Sequence, residues 1–186
     1  KDKQLDVDDL ISDLNNINLN FIFNKNLGYA EMYLNGVNVE REIRTMEVSE
    51  NVSRVSETPE IRRRLVCEQQ KMKKQGGIVM DGRDIGTVVF PKAELKLFMT
   101  ASTEIRVERR FQELIEQGQN VTYDDVLKNV EERDYIDSHR NDSPLSRAKD
   151  AIIFDNSTLT LEQQYDKIMD MVRAKLGNEH TSNKSY

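Results

Sequence analysis

The 186-residue chain is long enough to bury one α/β core without disulfide or metal staples. Only 37% of it is apolar and 32% is charged, so much of its surface is solvated helix. A formal net charge of −6 argues against bulk nucleic-acid binding, which calls for a basic stripe.

One cysteine, Cys67, excludes an intrachain disulfide and fits a reducing cytoplasm; between Val66 and Glu68 it reads as a structural thiol in a helix. No apolar run approaches the ~20 residues of a membrane span, and nothing has the form of a signal peptide.

In chain order, Leu10, Ile11 and Leu14 space a short amphipathic helix over residues 4–15. Residues 17–40 then read as an antiparallel ribbon. Ile17, Leu19, Phe21 and Phe23 share one face, and Asn35-Gly36 is a strong short-turn signal. The period becomes helical from Ile43 to Val55. Thr58-Pro59 opens a second helix that runs to about Lys74 and stops at Gly76-Gly77.

Ile78–Met80, Leu95–Met99 and Ile152–Phe154 are short apolar runs bounded by turn residues, as buried parallel strands are. Val88 to Pro91 reads as a brief connection. Ser102 caps a helix ending near Gly118, Thr122 starts another reaching about Ser138, and Leu161–Leu176 closes the chain, with Gly177 as its stop. The polar residues 178–186 read as a disordered tail. Strands alternating with helices imply an α/β parallel sheet, with the ribbon as an insertion.

The most informative stretch is Asp81-Gly-Arg-Asp-Ile-Gly86, directly after an apolar run. A guanidinium beside a carboxylate at a strand's C-terminal end can hold an anion and read a hydrogen-bonding base. The flanking Gly82 and Gly86 allow a sharp turn there. A surface ion pair is the bland alternative for Arg83-Asp84.

Arg106, Arg109 and Arg110 share a helical face, where Glu104 and Glu108 could neutralise them in an ordinary solvated helix. Arg133, Asp137 and Arg140 fall at i, i+4 and i+7; a salt-bridged face has the same spacing, and Asp134 points away. Ser53 precedes Arg62, Arg63 and Arg64, of which one can face a given cleft. His139 and His180 lack metal-ligand spacing, and no metal site is read among these residues. Together these clusters suit phosphoryl transfer, in which positioning and charge neutralisation supply nearly all of the catalysis.

Four stretches carry a family resemblance: Gly36 to Val48, Asp81 to Pro91, Glu108-Arg-Arg110 and Glu132 to Arg140. Through them the chain resembles the bacterial cytidylate (CMP) kinases over about Ala30 to Leu176. The resemblance implies a P-loop-type nucleoside monophosphate kinase fold, a parallel sheet with helices on both faces, carrying an antiparallel β-ribbon insert. The expected core is 1–16 with 76–177, including a lid region near 106–122, and the monophosphate-binding insert is 17–75.

The resemblance further implies transfer of the ATP γ-phosphoryl group to CMP or dCMP with Mg²⁺, by a cytoplasmic monomer with no nucleic-acid or membrane partner. By matching position, Ser53, Arg62 and Asp84 read cytosine. Arg83 and Arg140 hold the phosphate, and Arg133 and Asp137 hold the ribose hydroxyls. Arg106, Arg109 and Arg110 serve the lid, the last two approaching the transferring phosphate. The family's Gly-rich loop ending in Gly-Lys-Ser/Thr does not occur in the 186 residues. The expectation is therefore a truncated chain without the N-terminal strand and loop, inactive by itself. Alternatives are a UMP/CMP or adenylate kinase, a non-catalytic nucleotide-binding module, or a helix-rich interaction domain.

Overall fold

Capping chemistry sets most of the helix starts. In the computed structural model, which describes residues 6–73 and 77–182, the Asp6 carboxylate accepts from the N–H groups of Asp8 and Asp9 and opens α1 (Val7–Asp13). Thr45 does the same for α2 (Met46–Ser56) by accepting from Val48 N–H. Pro59 stands at the start of α3 (Pro59–Met72), where its missing N–H costs no helical bond. Ser102 caps α4 (Thr103–Glu116), and Thr122 with Asp125 forms a reciprocal capping box at α5 (Tyr123–His139).

The final helix, α6 (Leu161–Ser182), runs through Gly177. A glycine stops a helix by adopting a left-handed φ, and Gly177 does not. The expected stop is thus corrected, and residues 178–182 of the expected disordered tail are helical; 183–186 lie outside the described residues. Lys74 and Gly76, expected at the end of α3, also lie outside them. Cys67 lies on α3, the helix expected for it, and is exposed.

The ribbon forms as expected. β1 (Leu19–Asn24) and β2 (Tyr29–Leu34) are antiparallel with Phe21 opposite Met32. Asn35 and Gly36, at φ 50° and 83°, make the doubly left-handed turn into β3 (Val37–Asn38). Its apolar face, however, stays in solvent: Phe21 is 55% and Phe23 62% exposed. Alternation marks a face able to be buried, and no described element lies across this one.

The ribbon is tied to the body at Glu40, which is buried. Its carboxylate accepts from Met32 N–H at 2.9 Å and from the Arg44 guanidinium at 2.8 Å. Burial pushes this carboxyl up. The Met32 N–H and Arg44 together outweigh it and leave the group below the usual glutamate range.

The body is built on α2, α4 and α5. Val107, Leu114 and Val126 are fully buried between the last two, with Met46, Phe111 and Val130 packed around them. β4 (Leu97–Thr100) and β5 (Ile152–Asp155) pair in parallel, Leu97 beside Ile152 and Met99 beside Phe154. The expected third parallel strand, Ile78–Met80, joins no sheet among the described residues, and Val79 is fully exposed. An apolar run becomes a strand only where a neighbour offers a ladder, and no described strand pairs with this one.

Arg83 and Asp84 therefore follow an unpaired segment, and helices rather than a sheet edge receive them. The expected brief connection at Val88 begins inside one turn of π-helix, Ile85–Val89, with Asp84 C=O accepting from Val88 N–H at 2.8 Å.

Candidate functional site: a guanidinium cluster between α2, α3 and α5

Asp84 and Arg62 meet from opposite sides of the site. The π-turn holds the Asp84 backbone, and α3 carries Arg62, whose guanidinium donates to Asp84 Oδ2. Both are well shielded, with side chains 9% and 12% exposed. Arg62 Nη1 also donates to Ser56 C=O, at 3.2 Å, at the end of α2. The turn before Asp84 is tight: a Cβ on Gly82 would stand 2.9 Å from Ile85 Cγ1. Neither Gly82 nor Gly86 has a positive φ, so the glycines serve close approach in this turn.

Asp137 links the other arginines. Its Oδ2 accepts from Arg83 Nε at 2.9 Å and its Oδ1 from Arg140 Nη1 at 3.2 Å. Arg140 is 5% exposed, caps the end of α5, and donates from Nε to Ser143 C=O at 2.8 Å. It also lies 3.5 Å from Ser56 Oγ, which joins the two ion-paired groups. Arg133, one helical turn before Asp137, donates from Nη1 to Ser49 Oγ at 3.0 Å. Ser49 in turn donates to Asn129 Oδ1 at 2.8 Å.

The expected charged residues Arg62, Arg83, Asp84, Arg133, Asp137 and Arg140 are thus brought together, while the Ser53 side chain bonds to none of them, and the charges do not cancel. Four guanidiniums, of Arg62, Arg83, Arg133 and Arg140, face two carboxylates, of Asp84 and Asp137. Burial pulls the Arg140 guanidinium below its usual range and Arg62 adds repulsion, against the attraction of Asp137 and Asp84. Burial does the same at Arg133, with Arg83 the next cause. Both remain charged, since arginine does not release its proton in proteins. Three buried guanidinium nitrogens, Arg62 Nε, Arg133 Nε and Arg140 Nη2, have no partner. Unmet buried donors in a cluster with excess positive charge are suited to an anion.

The arginines of α4 are disposed differently. Arg106 donates to Asp134 at 2.6 Å, to Thr103 and to Ala101 C=O. Asp134 thus turns away from the face of Arg133, Asp137 and Arg140, as its spacing suggested, and neutralises Arg106. Arg109 donates to Asn156 through its side chain at 3.0 Å and its carbonyl at 2.7 Å. Arg110 donates to Glu113 and to Arg44 C=O, and its charge is felt at Arg133. Of the three, Arg110 borders the cluster.

A family model for cytidylate kinase matches residues 2–174. The chain belongs to the cytidylate kinase family. It is 61% identical over 163 residues to a cytidylate kinase of Flavobacterium johnsoniae, covering 88% of this chain and 71% of that protein. Against a cytidylate kinase of Parabacteroides distasonis the identity is 51% over 171 residues, or 92% of this chain and 75% of the relative. That of Bacteroides thetaiotaomicron is 52% identical over 160 residues, covering 86% and 70%.

A cavity lies beside the cluster. That cavity, about 330 Å³ between α2 and α5, is lined by Ser53 and by Arg133 of the cluster, but Arg62, Arg83, Asp84 and Arg140 do not line it. Its rim sets Glu50, Glu131 and Glu132 against Arg54 and Arg133, so it offers an anion no net attraction. Among the described residues no three His, Cys, Asp or Glu side chains converge to hold a metal. No described helix is long and apolar enough to cross a membrane.

Sequence reasoning named Ser53 and missed Ser49, Ser56 and Asn129. The signal was present. Ser49, Ser53 and Ser56 recur at i, i+4 and i+7 on α2, and the first two are buried. A serine stripe on the inward side of a helix signals polar clients opposite it.

Proposed function

We propose that the protein transfers the γ-phosphoryl group of ATP to CMP or dCMP, and that the guanidinium cluster is the site of the monophosphate. The carrying observation is the pairing of two uncompensated positive charges with three buried, unpartnered guanidinium nitrogens. A nucleoside 5′-monophosphate near neutral pH brings close to two negative charges and acceptor oxygens.

In this reading Asp84 accepts from the exocyclic amine of cytosine while Arg62 donates to the ring carbonyl and nitrogen, with Ser53 beside them. A carboxylate facing the carbonyl of uracil is repelled, so Asp84 sets the choice of base. Arg83 and Arg140 grip the phosphate, held apart at a fixed spacing by Asp137 between them. Arg133 and Asp137 hold the ribose hydroxyls. Each Asp137 oxygen has a second lone pair to offer after accepting from one arginine.

Arg109 and Arg110 approach the transferring phosphoryl group once they leave Asn156 and Arg44 C=O, and Arg106 steadies the same helix. Mg²⁺ arrives with ATP. The protein acts as a monomer in the cytoplasm.

Calorimetric titration of the protein with CMP, UMP and AMP tests the assignment. The expected result is CMP tighter than the other two by at least about tenfold, on the scale of one charged hydrogen bond. Equal affinity for UMP removes Asp84 from base reading, and no heat with CMP removes the monophosphate site. Catalysis is read separately, as ATP-dependent conversion of CMP to CDP by the intact gene product; its absence overturns the kinase assignment.

A further inference from the structure

The four clustered arginines are not all held in the same manner. Arg62 is pinned by Asp84, and Arg83 and Arg140 by Asp137. Arg133 has no carboxylate in ion-pair contact among the described residues. Its one direct hydrogen bond is to the neutral hydroxyl of Ser49. Ser49 and Asn129, 5% and 6% exposed, are buried at the crossing of α2 and α5.

The hydrogen-bond directions matter. A serine hydroxyl has one proton, and here it goes to Asn129 Oδ1 at 2.8 Å. The rotor is thereby fixed with a lone pair toward Arg133 Nη1, which donates at 3.0 Å. Without Asn129 the hydroxyl can turn its proton toward the guanidinium and be repelled. The chain Asn129–Ser49–Arg133 is thus polarised in one direction, with each bond favouring the next.

We propose that Ser49 and Asn129 are positioning residues that aim the Arg133 guanidinium at the ribose hydroxyls of the bound nucleotide while leaving its charge uncancelled; this rests on the reading of the cluster as the monophosphate site. A carboxylate in place of Ser49 would orient Arg133 equally well and relieve the burial and repulsion that it suffers. It would also remove one of the two excess charges that attract the ligand. A neutral tether keeps both geometry and field. The contrast is Arg106, fixed by Asp134 and electrically spent.

The test compares two ligands, CMP and its 2′,3′-dideoxy analogue, by calorimetric titration. Ser49→Ala is expected to weaken CMP about tenfold, the usual scale for losing a hydrogen bond to a charged group, and to leave the dideoxy analogue within about twofold. A merely structural loss lowers both ligands together, and that result overturns the proposal. Ser49→Thr, which keeps the hydroxyl, is expected to restore most of the CMP affinity; failure of rescue with a native circular dichroism spectrum also counts against it.

If Ser49→Ala does not fold, Asn129→Leu reads the same quantity. A preference for CMP over the analogue that is undiminished there overturns the relay. Arg133→Met separates the two levels of the argument. Unchanged CMP affinity in that variant defeats the monophosphate assignment itself. Loss of the hydroxyl preference in Arg133→Met, with its retention in Ser49→Ala, defeats only the role of Ser49.

Discussion

Two sets of arginines sit within a few helical turns of each other and use the same functional group differently. On α4, Arg106, Arg109 and Arg110 each reach a carboxylate, a carbonyl or an amide oxygen close by and are satisfied. Between α2, α3 and α5, Arg62, Arg133 and Arg140 are buried deeply enough that one nitrogen of each goes without a partner. The first set is what a solvated helix makes of arginine. The second is held against its own interest, and a fold keeps such groups only where other contacts over-determine them. Helical spacing is common to both sets; the unmet buried donor distinguishes them.

The comparison can be broken in several places. The largest effect is expected at Asp137→Ala, which strands Arg83 and the buried Arg140 and raises the cluster's excess charge. Breaking a buried pair costs about 3–5 kcal/mol, read by denaturant unfolding; a loss under about 1 kcal/mol would place Asp137 with the surface carboxylates. Next, Asp84→Ala should cost about 1–3 kcal/mol of CMP affinity and erase the preference over UMP. Retained discrimination between the two bases would return Asp84 to a structural role.

Glu40 gives a smaller, pH-dependent effect at the ribbon's root. Its folded carboxyl lies below the usual range, so the stability it contributes is present above the ordinary glutamate value of about 4.3 and is lost as pH falls through the lowered folded value. Thermal melts of wild type and Glu40→Gln should therefore differ most near neutrality and converge on acidification. A gap that widens in acid would reverse the assigned sign. Smallest of all is Arg106→Ala. The pair with Asp134 is about one-third exposed on both sides, so stability should move by no more than ~1 kcal/mol and CMP affinity by less than twofold. A tenfold loss of affinity would merge the two sets of arginines into one site.

The sequence was most legible where local chemistry decides structure. Ser102 and Thr122 begin their helices by capping, and Asn35-Gly36 makes its turn, because these choices need nothing from elsewhere in the chain. It was least legible where a partner decides. Ile78–Met80 has the composition of a strand and pairs with nothing described, and the ribbon's phenylalanines have the alternation of a buried face while standing in solvent.

Gly177 failed as a stop because glycine permits a left-handed φ without requiring one. In the site, the charged residues were readable from the family's motifs. Of the neutral ones, Ser49 stood in the serine stripe of α2, whereas Asn129, 80 positions away, announces nothing until two helices cross.

The crowding of like charges also bears on how long the protein lasts. Gathering four cations around two anions lowers the margin by which the native state outlasts the unfolded one, and in the proposed reading the bound monophosphate restores it. A ligand at a hundred times its dissociation constant adds about 2.7 kcal/mol to that margin, enough to matter for a chain with a small apolar core. Proteolytic half-life should accordingly rise with monophosphate supply and be indifferent to the bare nucleoside, so that acceptor scarcity thins out the catalyst along with the reaction.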